Sequence, residues 1–169
     1  MHKPAVLLAL AAGLASPAAA QLKPNSPEAI ASAATDCWSA AGPRSLDEAR
    51  LRQLGWAAGS IKSPGGKDID TPLRVYSKRG SNVVMMVMNS ATMSGCTILS
   101  RVAKAEEIGV TAQLLLTKLT AIDPTVKGSR QGQSILYFAL PRVAELAPTG
   151  TIEQPATRIV VGYTSSEKK

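Results

Sequence analysis

Four methionines, Met85, Met86, Met88 and Met93, fall within nine residues of one another, and thioether sulfur is a soft ligand suited to Cu(I). A site of this kind needs at least three sulfurs on one side of the chain. Strand alternation sends Met86 and Met88 to one face and Met85 to the other. That division fits methionine as an adaptable filler of a buried strand, with copper binding through Met86, Met88 and Met93 as the weaker alternative. No metal and no cofactor is expected.

The second group with chemical potential is basic. Arg74, Tyr76 and Lys78 alternate along one stretch, Arg79 follows, and Arg101 and Lys104 stand further on. Alternation places Arg74, Tyr76 and Lys78 on one strand face, where guanidinium, ammonium and phenol groups together could hold a carboxylate or phosphate. A solvated strand protected by its charges from unwanted pairing gives the same pattern. Arg74, Tyr76, Lys78 and Arg79 are the candidate binding residues.

Catalytic arrangements are scarce. There is no Gly-x-Ser-x-Gly and no serine followed three residues later by lysine in a persuasive setting. Ser63 with Lys67 and Ser100 with Lys104 have four-residue spacing, which brings side chains together only on a helix. Ser63 sits in a Pro-Gly loop and Ser100 in an expected strand. Glu106 and Glu107 open a helix, where acids complement the dipole. The Gly-rich stretch from Ser63 to Asp70 lacks the phosphate-loop pattern. No catalytic residue is assigned.

The remaining reactive pair, Cys37 and Cys96, depends on compartment. His2 and Lys3, an apolar run from Ala5 to Ala15 and the small residues Ala18-Ala19-Ala20 have the three parts of a secretory leader, with cleavage expected after Ala20. The apolar run is too short for a bilayer, which needs about 20 residues. An exported chain with two cysteines predicts a Cys37–Cys96 disulfide, structural rather than redox-active because the spacing is long. Closing that loop contributes about 4 kcal/mol in the chain-entropy picture.

Removing the leader takes away the sole histidine and leaves 18 Lys and Arg against 12 Asp and Glu, a net charge of +6. A chain without imidazole cannot build a Ser-His-Asp triad, a Cys-His pair or a His-bearing zinc site by itself. One Phe, two Trp and three Tyr are few platforms for stacking bases. An acidic envelope polymer or protein is therefore the expected partner, and nucleic acid is not.

These residues need elements to position them. Ser26-Pro27-Glu28 starts a helix running to about Ala41, with Ile30, Ala33, Ala34, Cys37 and Ala41 on its apolar stripe. Ser45 with Glu48 forms a capping box for a second short helix, ended at Gly55. Strands are predicted at 56–61, 72–78, 82–89 and 95–102, the middle two as a hairpin. The strand at 82–89 is apolar on both faces and belongs inside the sheet. Cys96, Ile98, Ser100 and Val102 share the face that meets the first helix. Glu106 to Ile122 is an amphipathic helix, Asp123-Pro124 closes it, and strands at 135–140 and 158–163 follow across a connection containing Pro and Thr.

A buried helix cysteine, Leu54-Gly55-Trp56, and Gly95-Cys96 opening a strand together resemble small exported proteins of alphaproteobacteria whose function is uncharacterised. The resemblance spans residues 30 to 120 and implies a fold, with no activity and no site residue.

The expected molecule is α+β, a mostly antiparallel sheet of about five to six strands with helices on one face and one disulfide. Its single domain covers residues 21–164, after a leader at 1–20 and before a mobile tail at 165–169. It works in the periplasm or outside the cell as a non-catalytic binding protein. An envelope-acting enzyme with a Ser, Lys or acid site independent of histidine is the alternative.

Overall fold

The computed structural model describes residues 23–88 and 94–164. The leader at 1–20, Met93 and the tail at 165–169 lie outside the described residues, as does the side chain of Met88.

Helix α1 spans Pro27–Ala40, with the Ser26 side chain accepting from the Ala29 amide and Glu28 in the first turn. Its buried residues, among them Ile30, Ala33, Ala34, Cys37 and Trp38, take up more than one stripe. The reason is that α1 packs against strands on one side and against a later helix on another. Helix α2, Glu48–Gln53, is capped by Asp47, whose side chain accepts from the Arg50 amide at 2.9 Å. The expected Ser45–Glu48 capping box is thus displaced by two residues. Leu46 is drawn into the core and bridges to Ala41, so the chain is still extended at Ser45 and turns helical only after Asp47. Gly55, at φ 87°, supplies the left-handed conformation that ends the helix.

Strands β1 (Trp56–Gly59), β2 (Leu73–Lys78), β3 (Val84–Met88) and β4 (Ser94–Arg101) follow, then helix α3 (Glu106–Ile122). Strands β5 (Lys127–Gln131), β6 (Ser134–Ala139), β7 (Arg142–Gly150) and β8 (Pro155–Tyr163) complete the chain. All eight form one antiparallel sheet in the order β1-β2-β3-β4-β8-β7-β6-β5.

The sheet therefore has eight strands where about five to six were expected, and β5 and β7 account for the difference. β5 reads Lys-Gly-Ser-Arg-Gln and is exposed throughout, so no apolar alternation marks it. β7 contains Pro148, which argues against an interior strand. Its pairing with β6 stops at Leu146 while its pairing with β8 continues to Gly150. Pro148 thus occupies a stretch with a neighbour on one side only.

The strand order has an internal symmetry that the amino-acid sequence does not display. A helix followed by a four-stranded meander occurs twice, and the last strands of the two meanders, β4 and β8, pair along the middle of the sheet from Ser94↔Tyr163 to Arg101↔Ala156. The helices α1 and α3 pack on each other.

Register fixes the two faces. Tyr76, Met85, Ile98, Ile159, Leu146 and Ile135 lie opposite one another across the sheet, and the first five are buried. Cys96 and Val161 belong to the same face. The Cys37–Cys96 disulfide, with Cα atoms 6.4 Å apart and thus in the usual range, ties α1 to it. The hydroxyl of Tyr137 donates to the Ala112 carbonyl at 2.9 Å and ties α3 to it. All three helices lie on this face, as expected.

Candidate functional site

The candidate basic residues share a strand face, as alternation predicts, but it is the face that the helices cover. Tyr76 is buried to 1 % exposure, so the expected exposed patch does not include it. Its burial follows from Met85 beside it in β3 and Ala58 in β1, with α2 above: burial first, then the Glu48 carboxylate, pushes its hydroxyl above the usual tyrosine range, and Arg74 partly offsets this. Arg74 donates to both carboxylate oxygens of Glu48, at 2.9 and 3.1 Å. Lys78 donates to Asp36 of α1 at 3.1 Å. Arg79 is exposed at the turn. Arg101, read as a possible neighbour, has the opposite parity to Ile98 and Ser100 and stands on the other face. The hairpin cations thus act first as clamps between sheet edge and helices.

Asp36 is a residue to which the sequence assigns no role. Its Oδ2 accepts from Lys78 and, at 2.9 Å, from the indole Nε1 of Trp56, and the Lys78 ammonium stands 5.8 Å from the centre of the Trp56 ring. The partners lie 20 and 42 positions away in sequence, so no local pattern announces them. An acid inside an alanine-rich buried helix face was the one available signal. These residues line a concavity of about 160 Å³ between α1 and the β1–β2 edge, shared with Ser32, Arg79 and Ser81.

A second concavity, of about 390 Å³, occupies the equivalent place between α3 and the β5–β6 edge. Ala112 and Leu116 form one wall, and Gly128, Arg130, Ile135 and Tyr137 form the other. Burial pushes the Tyr137 hydroxyl up to about 12. Among the described residues no second helix stands over this edge as α2 stands over β1 and β2.

The methionines separate as alternation requires. Met85 is buried on the helix-covered face, whereas Met86, paired with Val75 and Thr97, is half-buried on the other. Of Met86, Met88 and Met93 only Met86 has a described side chain, and among the described residues no group of three His, Cys, Asp or Glu could hold a metal ion.

Among the described residues no helix covers the other face of the sheet. Register assigns to it Val75, Val84, Met86, Leu99, Leu136, Phe138, Val143 and Val160. Val160 is 38 % exposed and the others are half-buried by their neighbours. Gly95 and Gly162 lie opposite each other near its middle, leaving a strip of bare backbone. A Cβ at Gly95 would strike the Val161 carbonyl, so the close approach of β4 and β8 requires glycine there. The charged strand residues on this face are Arg101, Lys127, Arg158 and Glu145, three cations against one acid.

Among the described residues no helix is long and apolar enough to cross a membrane. Comparison with models of known protein families, with characterised proteins and with solved structures finds no match to this chain.

Proposed function

We propose that the chain, freed of residues 1–20, works outside the cytoplasm as a non-catalytic binding protein and takes an acidic protein partner on its helix-free sheet face. The observation that carries this reading is the composition of that face. An antiparallel sheet turned to water on one side ordinarily alternates apolar-in with polar-out. Here the outward residues include Val75, Val84, Met86, Leu99, Leu136, Phe138, Val143 and Val160, with Thr97, Glu145 and Arg158 set among them, an apolar-rich surface of the kind that marks an interaction site. The excess of Lys127 and Arg158 over Glu145 favours a partner that brings acids around its own apolar patch. The hairpin site supports less, because Arg74 and Lys78 are held by Glu48 and Asp36 and Arg79 is left to act by itself.

The test places a photo-crosslinking residue at Val160 of the oxidised chain and, as control, at Thr151. A cross-linked protein obtained only from Val160 is then purified and titrated against the wild type and Val160→Asp. Binding weakened about tenfold or more by the substitution, with the circular dichroism spectrum kept, supports the reading. Cross-links only between copies of the chain, or affinity indifferent to Val160→Asp, would sink it.

The alternative of an enzyme with a Ser, Lys and acid site has its residue types together in the smaller concavity, where Ser32, Asp36, Lys78 and Ser81 converge. Lys78 is paired with Asp36 there and stands over Trp56, an arrangement suited to holding a charge in place.

A further inference from the structure

The two halves of the molecule are built alike but finished differently. In the first half, α2 rests on the outer strands: Leu51 is fully buried, and Glu48 meets Arg74 at 2.9 Å. The link between α1 and β1 is long enough to contain that helix. In the second half the link between α3 and β5 is only residues 123–126, and among the described residues no second helix joins α3 over the strands equivalent to β1 and β2. The groove of about 390 Å³, counterpart of the first concavity, runs on over Ile135 and Arg130, which stand in register where Tyr76 and Ala58 stand beside α2.

The groove has the two features that α2 uses on its own half. One is an apolar floor and wall, made by Ala112, Leu116, Ile135 and Tyr137, with Leu116 exposed to 36 %. The other is a guanidinium on the helix-covered face of the outer strands. Arg130 pairs in register with Ile135 and is exposed. It takes no part in the four ion pairs found among the described residues, Arg52–Glu48, Arg74–Glu48, Lys78–Asp36 and Lys118–Glu28.

We propose that the groove between α3 and the β5–β6 edge binds a short amphipathic helix of a partner protein, one that brings a leucine and a carboxylate as α2 does with Leu51 and Glu48. The leucine fills the groove between Leu116 and Ile135, and the carboxylate meets Arg130. Burial of the leucine is the main source of affinity, while the half-solvated ion pair chiefly selects orientation and rejects basic helices. A second copy of this chain is disfavoured as occupant. Its own α2 already has Leu51 fully buried and Glu48 paired with Arg74, so that helix is engaged on its own sheet. This site is separate from the helix-free sheet face, so either proposal can fail while the other stands.

The probe is a stapled helical decapeptide with the sequence of residues 45–54, because a free helix of that length is marginal in water. It is titrated into the isotope-labelled, oxidised chain while backbone amide shifts are followed. The expected result is saturable movement at Gly109, Ala112, Gln113, Gly128 and Ser129, with affinity reduced about tenfold by Arg130→Glu. A stapled peptide whose Glu48 equivalent is changed to Lys should prefer the Arg130→Glu protein. Absence of saturation at about 1 mM peptide overturns the proposal. So does movement centred on Tyr76 and Arg74, which means that the probe has displaced α2, and so does indifference to Arg130→Glu.

Discussion

The Asp36 side chain joins three elements through one oxygen, receiving the Trp56 indole and the Lys78 ammonium while belonging to α1. Truncating it leaves an indole N–H beside a buried ring and a cation without its counter-charge. Lys78 keeps 38 % of its side chain exposed, so water can take over much of its solvation. The loss is then chiefly that of the Trp56 hydrogen bond, and Asp36→Ala is expected to lower stability by about 1–2 kcal/mol, read as a shift of the urea midpoint at unchanged slope. Arg74→Ala, whose side chain is 56 % exposed, is expected to cost under about 1 kcal/mol in the same measurement. At this scale the sequence was partly legible. The shared side of Arg74, Tyr76 and Lys78 followed from alternation, and the disulfide from cysteine count and compartment. Which side faced water did not follow, because at a sheet edge the covering helices supply carboxylates and make cations acceptable on the inner face.

Between elements, the contact of β6 with α3 runs through Tyr137, whose hydroxyl is buried against the Ala112 carbonyl and pushed up to about 12. The unfolded chain releases this proton near pH 10, the ordinary tyrosine value. Below pH 10 both states keep the proton and the contact contributes in full. Above it the unfolded state binds fewer protons than the native one, so stability falls as pH rises, by up to about 1.4 kcal/mol per unit until the native group also ionises near 12. Tyr76 is shifted in the same direction and adds to the trend. Chemical denaturation at a series of pH values from 9 to 11 should show a declining midpoint, and a flat profile would contradict this account. Tyr137→Phe should flatten part of the decline. Elements that carry their own signals were readable in advance: α3 from its apolar stripe, α1 from Ser26-Pro27-Glu28, and β3 as an interior strand. β5 and β7 were not, since one has no apolar residue and the other contains a proline made tolerable by a missing neighbour.

For the molecule as a whole, the duplicated plan does not make two folding units. β4 finds its second partner in β8, α1 rests on α3, and one core cluster runs from Ile30 to Val161. Heat or denaturant should therefore unfold the chain in a single transition, with near-ultraviolet and far-ultraviolet dichroism coinciding. Separated transitions would show that the halves are independent. Reduction of Cys37–Cys96 should move that transition to lower denaturant by up to about 4 kcal/mol without dividing it. The duplication itself was invisible in the sequence because it resides in strand order, and the two halves share no recurring residue pattern that periodicity could reveal.

The central pairing also orders events in time. A chain synthesised from its N-terminus presents β1 to β4 while β8 is still unmade, and the partner of Ile98 is Ile159, 61 positions later. During that interval β4 is an open hydrogen-bonding edge with an apolar side, the arrangement most prone to pairing with a wrong chain. Closing the sheet waits on the last strand to emerge, so the slow and vulnerable step of folding is the arrival of β8 beside β4.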